Sequence, residues 1–202
     1  MDDAHRLVCR PAGAPAILIP EQWRLGALRG AEGAGVAEPD GLQLGTGVGA
    51  AVLRFLDRSL SVNVASSDRA NRPLVARAVA ARASCGGERL TVLLDGRANA
   101  ELVAAVADTG RLAVVFSEPS THRSLQVKGD GAIVAAPTAE EAALTGPYLD
   151  GFIAELTGIG FTEPFIRAVM TCDPADLVAL HVRPAAVFDQ TPGPKAGEPV
   201  PA

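Results

Sequence analysis

The chain has 202 residues and carries 18 Lys and Arg against 23 Asp and Glu residues, a formal net charge of −5. This length suits one domain with a short extension, and the negative charge gives no long-range attraction to nucleic acid or to an anionic membrane. Aromatic residues make up only 4% of the chain, so we expect a core built mainly from Val, Leu, Ile and Ala.

The first 46 residues are rich in Gly, Pro and Ala, and they are predicted to form a partly irregular N-terminal extension. The N-terminus lacks a cationic segment followed by a long apolar stretch, and no part of the chain approaches the length of a membrane span. Gly45, Gly47 and Gly49 imitate a dinucleotide fingerprint, but no convincing strand precedes them. We therefore expect a cytoplasmic protein that has neither a membrane contact nor a Rossmann site.

The three cysteines, Cys9, Cys85 and Cys172, lie far apart and lack the spacing of a zinc site or a redox dithiol. His5 and His181 have no partner at metal-ligand spacing. The sequence therefore predicts free thiols in a reducing cytosol, and it predicts no metal site.

The first regular elements follow the extension. Val48–Asp57 has apolar residues at helical spacing and predicts a short amphipathic helix. Ser61–Ser66 alternates polar and apolar residues, and turn residues after it predict a hairpin with the next run. That run, Leu74–Ser84, is predicted as a strand. Arg77 and Arg82 would point to opposite faces of an unbroken strand, whereas a bulge between them would bring both to one ligand.

The later elements are predicted from the same local signals. Gly110 ends one helix as a C-cap, and Thr138 begins another as an N-cap. Strands are predicted over 89–94, 114–116, 123–134 and 177–183, and helices over 99–107, 138–156 with a break at Gly146-Pro147, and 164–170. Residues 184–188 are predicted as a turn. Five or six short strands with few helices between them favour a small, mostly antiparallel barrel.

The segment 114–129 says most about function. Its polar turn contains Thr121 and His122, and the strand after the turn carries Arg123 and Gln126. Guanidinium, imidazole, hydroxyl and amide groups at short spacing suit a flat, anionic ligand. A bound cofactor is therefore the first hypothesis.

Two segments resemble the pyridoxamine-phosphate oxidase-like family, a family of flavin-binding split barrels. Residues 123–129, Arg-Ser-Leu-Gln-Val-Lys-Gly, are similar to a family segment of the form Arg-Gln-Val-Arg-Val-Glu-Gly, and they match at the Arg, the central Val and the Gly. Residues 72–82 look like the family segment Arg-Met-Val-Leu-Leu-Lys, because Arg77 and Arg82 reproduce the spacing of its Arg and Lys. The resemblance covers about residues 50 to 190.

The resemblance implies a mainly β (α+β) fold: a split β-barrel of about six antiparallel strands with peripheral helices. This domain would span residues 47–189, and a Pro- and Gly-rich tail, residues 190–202, would follow it. The resemblance also implies a homodimer with FMN in a cleft between the subunits. The implied cofactor-binding residues are Arg77, Arg82, Thr121, His122, Arg123 and Gln126.

The implied function is an FMN-dependent oxidoreductase with a small-molecule substrate that the sequence does not identify. The catalytic residues stay unknown, since the cofactor would perform the hydride or electron transfer. A vitamin B6 phosphate oxidase proper is disfavoured, because the basic and aromatic residues expected for that substrate are missing from 188–202.

The alternative is a non-catalytic protein on the same barrel that binds a flavin, a deazaflavin, haem or another metabolite. The family places Ser-Arg-Lys where this chain has Ala100, Glu101 and Leu102, and a carboxylate beside a phosphate is repulsive. An interpretation without a binding site also stays open. In it Arg77 is a solvated surface residue and His122 is a turn residue that only caps a strand.

Overall fold

A computed structural model describes residues 49–201 of the chain, so the predicted N-terminal extension lies outside the described residues. The described residues form five helices and nine strands. The helices are α1 (Ala50–Leu56), α2 (Ala100–Thr109), α3 (Ala139–Ala142), α4 (Thr145–Thr157) and α5 (Glu163–Val169). The strands are β1 (Ser61–Ser67), β2 (Pro73–Arg77), β3 (Ala80–Ser84), β4 (Arg89–Asp95), β5 (Leu112–Ser117), β6 (Ser124–Gly129), β7 (Ile133–Ala135), β8 (Leu177–Val182) and β9 (Ala186–Asp189).

The strands form two antiparallel sheets. The first has five strands in the order β2-β1-β5-β6-β9, and the second has four in the order β3-β4-β8-β7. The predicted fold class is confirmed: the chain is α+β, rich in β-structure, and has a split-barrel arrangement with peripheral helices. It has nine strands in the described part instead of about six, because two predicted strands are each divided between the sheets and β9 was predicted as a turn.

The division of the predicted strand Leu74–Ser84 is the clearest correction. The amide of Ala78 donates to the carbonyl of Val62 in the first sheet at 3.0 Å, and the next amide, Val79, donates to Leu93 in the second sheet at 2.8 Å. The chain therefore leaves one sheet and joins the other within two residues. Similar crossings join β6 to β7 and β8 to β9, so that the two sheets enclose a common core.

The core is built from aliphatic side chains, as the composition predicts. In β1 and β5 buried and partly exposed residues alternate, which is the pattern of a strand with one face on the core. In β4 and β8 nearly every residue is buried, because the second sheet is covered on both faces. Helix α2 packs on β1 and β2, and helix α4 packs on α5 and β3.

The C-terminal tail, predicted to be irregular, has no helix or strand in residues 190–201, and it turns back on β9. The amide of Asp189 donates to the carbonyl of Glu198 at 2.9 Å, and that of Val200 donates to Val187 at 2.8 Å. The tail therefore lies along the β9 edge of the first sheet.

The cysteine prediction holds for one residue and fails for another. Cys172 is a free thiol, and burial is the main reason why its pKa is raised to about 11. Cys85 is disulfide-bonded, so the prediction of a free thiol is wrong there.

No helix in residues 49–201 has both the length and the apolar composition that crossing a membrane requires. Nor does this part of the chain gather three or more His, Cys, Asp or Glu side chains as a metal site.

Candidate functional site

A cavity of about 530 Å³ lies between the end of the first sheet and helices α4 and α5. Its two sides differ in chemistry. The polar wall comes from the first sheet and the β5–β6 turn, and it consists of Ser61, Arg77, Ser117, Glu118, His122 and Ser124. The apolar wall comes from the two helices and the loop between them, chiefly through Leu156, Ile159, Phe161, Phe165 and Val169.

Arg77 is the only cation among the residues that line this cavity. It is the last residue of β2, and its guanidinium donates to the hydroxyl of Ser61 at 3.0 Å. Among residues 49–201 no carboxylate lies within ion-pair distance of Arg77, and the residue is exposed. The other donors of its planar fork are therefore available to a phosphate or carboxylate.

The β5–β6 turn holds the polar wall in place through Glu118. The backbone amide of Glu118 donates to the carbonyl of Arg123, and the amide of His122 donates to the carbonyl of Glu118, both at 2.8 Å. The carboxylate of Glu118 forms an ion pair with Arg58 and accepts a hydrogen bond from the hydroxyl of Thr121. Since the Glu118 side chain is only 8% exposed, this network fixes the turn against α1.

His122 has a left-handed backbone conformation, with φ at 61°. Residues other than glycine seldom adopt this conformation, although His does so more often than most. The Glu118 hydrogen bonds hold the backbone in place, and the side chain of His122 lines the cavity. Its imidazole is thereby available to a ligand as a hydrogen-bonding group.

The pKa of Glu118 is lowered, first by the hydrogen bond from Thr121 and then by Arg58, which together outweigh the effect of burial. A depressed folded-state pKa stabilises the fold above the unfolded-state pKa, and this contribution is lost as the pH falls through the folded-state value. Glu118 is therefore a carboxylate at neutral pH. It serves to position the turn and does not supply a proton.

We predict that Glu118→Gln lowers the free energy of unfolding by about 1 kcal/mol at pH 7, a modest loss because Arg58 is half exposed and screened by water. Between pH 5 and pH 3 the variant should lose less stability than the wild type, since it lacks the carboxylate that titrates there. Urea unfolding at pH 7, 5 and 3 measures both effects, with Glu101→Gln, an exposed position on α2, as the control. If the free energy of unfolding fell as steeply with pH in Glu118→Gln as in the wild type, the proposed role of Glu118 would be contradicted.

The serines of the polar wall bond to each other. The hydroxyl of Ser124 has two acceptors within hydrogen-bond distance, the hydroxyl oxygen of Ser117 at 2.8 Å and the carbonyl oxygen of His122 at 3.1 Å. Neither hydroxyl is paired with an imidazole ring in the described part of the chain, so this wall has no activated nucleophile of the Ser–His type. Its groups are suited to binding and orienting a ligand.

The apolar wall is unusually open. Phe161, Phe165, Ile159 and Val169 are between 44% and 53% exposed. The rings of Phe161 and Phe165 stack, with centroids 5.7 Å apart and an angle of 19° between the planes. Four of the six large apolar side chains that are exposed in residues 49–201 thus surround one cavity, and such clustering marks a binding surface.

Of the predicted cofactor-binding residues, Arg77 and His122 line the cavity. The other four lie outside its lining, each with a contact of its own. Arg82 is on β3 of the second sheet and pairs with Glu140 at 3.3 Å; the guanidinium of Arg123 lies 4.5 Å above the ring of Phe55; Thr121 bonds to Glu118; and Gln126 accepts from Gln190 at 3.4 Å.

The chain segment that departs from the family pattern also lies away from the cavity lining. Ala100 begins α2, Glu101 is exposed, and Leu102 is 2% exposed within the core. These three residues therefore offer no side-chain donor to a phosphate.

The sequence did not point to Ser61 or the apolar wall as parts of a site, whereas Ser117 lies in the segment 114–129 that it singled out. Helix α5 has three large apolar side chains among its seven residues, Phe165, Ile166 and Val169, and they form one apolar stripe of ordinary width. Only Ile166 is buried, and nothing in this pattern distinguishes it from the two exposed residues.

The sequence matches no protein-family model and no curated protein. Among solved structures, the chain is similar to HupZ of Group A Streptococcus, with 12% identity, a TM-score of 0.48, and coverage of 74% of this chain and 100% of that one. An F420 reductase has 23% identity and a TM-score of 0.45 over 66% of this chain and 93% of its own. A candidate pyridoxamine 5'-phosphate oxidase of Lactobacillus delbrueckii has 15% identity and a TM-score of 0.42 over 70% and 93%.

This last structure is of the kind that the sequence resembles. All three identities are below 25% and all three TM-scores are below 0.5. Similarities at this level concern the fold and not the activity.

Proposed function

We propose that the protein is an FMN-dependent oxidoreductase that binds its cofactor in the cavity between the polar and apolar walls. One observation carries the proposal: a single guanidinium, that of Arg77, faces a cavity whose opposite side is apolar and aromatic. A ligand that matches both sides has an anionic group at one end and a flat apolar body. FMN has this form, and when bound it supplies the hydride or electron transfer.

The residues of the polar wall would each have a binding role. Arg77 would hold the phosphate with the guanidinium donors that Ser61 does not use. His122 and the serine hydroxyls would donate to, or accept from, polar atoms at the ring edge. Glu118 adds little repulsion, because Arg58 neutralises its charge.

The size of the cavity agrees with this assignment. Small-molecule sites in proteins usually measure about 300 to 1,000 Å³. The cavity, at about 530 Å³, falls within this range. The helices of the apolar wall would also exclude water from one face of a bound ring.

We predict that Arg77→Gln weakens FMN binding about 10- to 30-fold, because a charge-assisted hydrogen bond to phosphate is worth roughly 1.5–3 kcal/mol and the site is partly open to water. Arg69→Gln is the matched control, since Arg69 is also exposed and pairs with Asp108 outside the cavity lining. Fluorescence titration of FMN measures both affinities. Equal losses in the two variants would contradict the assignment to this cavity.

The absorbance spectrum of the purified protein is the simplest test of the function itself. A flavin band, together with release of FMN on denaturation, would support the proposal. Failure to bind FMN under any condition would overturn it.

A second candidate is a non-catalytic protein that binds haem, a deazaflavin or another metabolite in the same cavity. It is favoured by the fact that the lining contains one cation, whereas a tightly held phosphate commonly has several donors. Titration with FMN, haem and a deazaflavin, at equal concentrations, distinguishes the candidates by their affinities.

The homodimer with a shared cofactor remains a proposal. Arg82, Arg123 and Gln126 lie outside the cavity lining of their own chain, so a neighbouring subunit is the route by which they would reach a cofactor. Light scattering of the protein with and without FMN would measure the assembly state.

A further inference from the structure

We infer that the apolar wall binds a second molecule, an uncharged aromatic compound, and that this is the substrate class of the proposed enzyme. The inference rests on the proposed function, because the second molecule would lie between the apolar wall and the ring of the bound cofactor. Its evidence is the stacked pair Phe161 and Phe165 and their exposure.

Both rings line the cavity. Phe161 is 45% and Phe165 is 53% exposed, and they share this half-open space with Arg77 and His122. A concave space of about 530 Å³ fits a small molecule, whereas a protein partner needs a contact surface of roughly 800 Å² on each side. A small molecule is therefore the occupant that the shape favours.

The charge of the wall selects an uncharged ligand. None of the cavity-lining residues that α4, α5 and their connecting loop supply is charged. Two acidic residues flank this wall in sequence, and both have partners: the carboxylate of Glu155 accepts a hydrogen bond from the backbone amide of Ser120 at 3.0 Å, and that of Glu163 pairs with Arg167 at 2.8 Å. A ligand charge placed against this wall would lose its hydration without gaining a partner.

The geometry of the rings selects an aromatic ligand. Phe161 and Phe165 stack with only 19° between their planes, so they can present a ring surface to a flat molecule. Aromatic pairs gain about 0.5–1.5 kcal/mol beyond the burial of area, which an aliphatic ligand of the same size would not gain. The opposite face of the ligand would then be free to lie against the cofactor.

The test uses 1-naphthol as the uncharged probe and 1-naphthalenesulfonate as its anionic counterpart, titrated into the FMN-loaded protein by calorimetry. We expect 1-naphthol to bind more tightly than the sulfonate. We expect Phe161→Ala and Phe165→Ala each to weaken 1-naphthol binding by about two- to tenfold, the ratio that corresponds to one aromatic pair. Phe165→Leu should show a similar loss, since it keeps an apolar side chain and removes the ring.

Ile133→Ala is the matched control, because Ile133 is 63% exposed on β7 and lies outside the cavity lining. It should leave 1-naphthol binding unchanged. Equal affinities in Phe165→Leu and wild type, tighter binding of the sulfonate, or dissociation of an oligomer by Phe165→Leu would each overturn the inference.

The two proposals fail separately. Binding of 1-naphthol by a protein that takes up no FMN would overturn the proposed function and leave the aromatic site. Binding of FMN with no effect of the phenylalanine variants on 1-naphthol would overturn this inference alone.

Discussion

Replacing Gly129 with alanine is expected to lower the free energy of unfolding by about 3 kcal/mol or more. A Cβ atom at this position would overlap the carbonyl oxygen of Arg183 and lie 2.6 Å from a methyl group of Val182. The first contact is with backbone, so no side-chain rotation relieves it. The strand β6 would have to move away from the crossing between β8 and β9, and such overpacking is strongly destabilising.

Urea unfolding followed by circular dichroism measures this loss, and Gly146→Ala is the control. Gly146 lies in the first turn of α4, where an added Cβ meets nothing within 4 Å. Alanine is the better helix former by up to about 1 kcal/mol, so the control should be as stable as the wild type or more so. If Gly129→Ala were as stable as the wild type, β6 could move away from the chain between β8 and β9 at no cost, and the prediction would be wrong.

Replacing Tyr148 with phenylalanine is expected to cost about 2 kcal/mol, the second largest effect. The Tyr148 hydroxyl donates to the carbonyl of Leu60 at 2.9 Å and accepts from its amide at 3.1 Å. The amide of Leu60 keeps a second acceptor, the carbonyl of Arg58 at 3.0 Å. In the variant, therefore, only the buried carbonyl of Leu60 loses its partner, the donor hydroxyl of Tyr148. An unsatisfied buried acceptor costs about 1–3 kcal/mol.

The hydroxyl of Tyr148 stays protonated over the whole working range, because burial raises its pKa above the ordinary value of 10. The loss in Tyr148→Phe should therefore be the same at pH 6 and pH 8. Thr157→Val is the control, since it removes an exposed hydroxyl, bonded to Ile153, at the other end of α4. Its cost should stay within about 0.5 kcal/mol. An equal cost for both variants would mean that the Leu60 carbonyl finds another donor.

Two helix ends with local signals are predicted closely, but the break predicted at Gly146-Pro147 is wrong: it falls at 143–144, because a proline is tolerated in the first turn of α4. Helix α2 ends at Gly110, which has a left-handed conformation with φ at 66°, as the C-cap pattern predicts. Helix α3 begins at Thr138 with a capping box, in which Thr138 and Glu141 each bond to the other's backbone amide. These signals act between residues three or four positions apart, so the sequence contains all that they require.

The strand crossings and β9 were not predicted. Strand β9 follows Pro184 and was taken as a turn, but its partner is β6, and Val187 lies opposite Val127. The apolar alternation of the predicted strand Leu74–Ser84 continues through the crossing, so nothing in the pattern marks the change of sheet. Both features depend on pairing between segments far apart in the chain.

The candidate site shows the same division between local and long-range information. Arg77 and His122 are two of the six cofactor-binding residues that the family resemblance implies, and both line one cavity. Composition and periodicity likewise identified an aliphatic antiparallel barrel with peripheral helices, because burial preference and strand alternation are properties of short segments. Which side chains share the cavity was decided by the fold: Arg82 was carried to the other sheet, and Arg123 was drawn onto Phe55. A side chain's direction depends on how distant strands twist, cross and pack, and no local pattern contains those contacts.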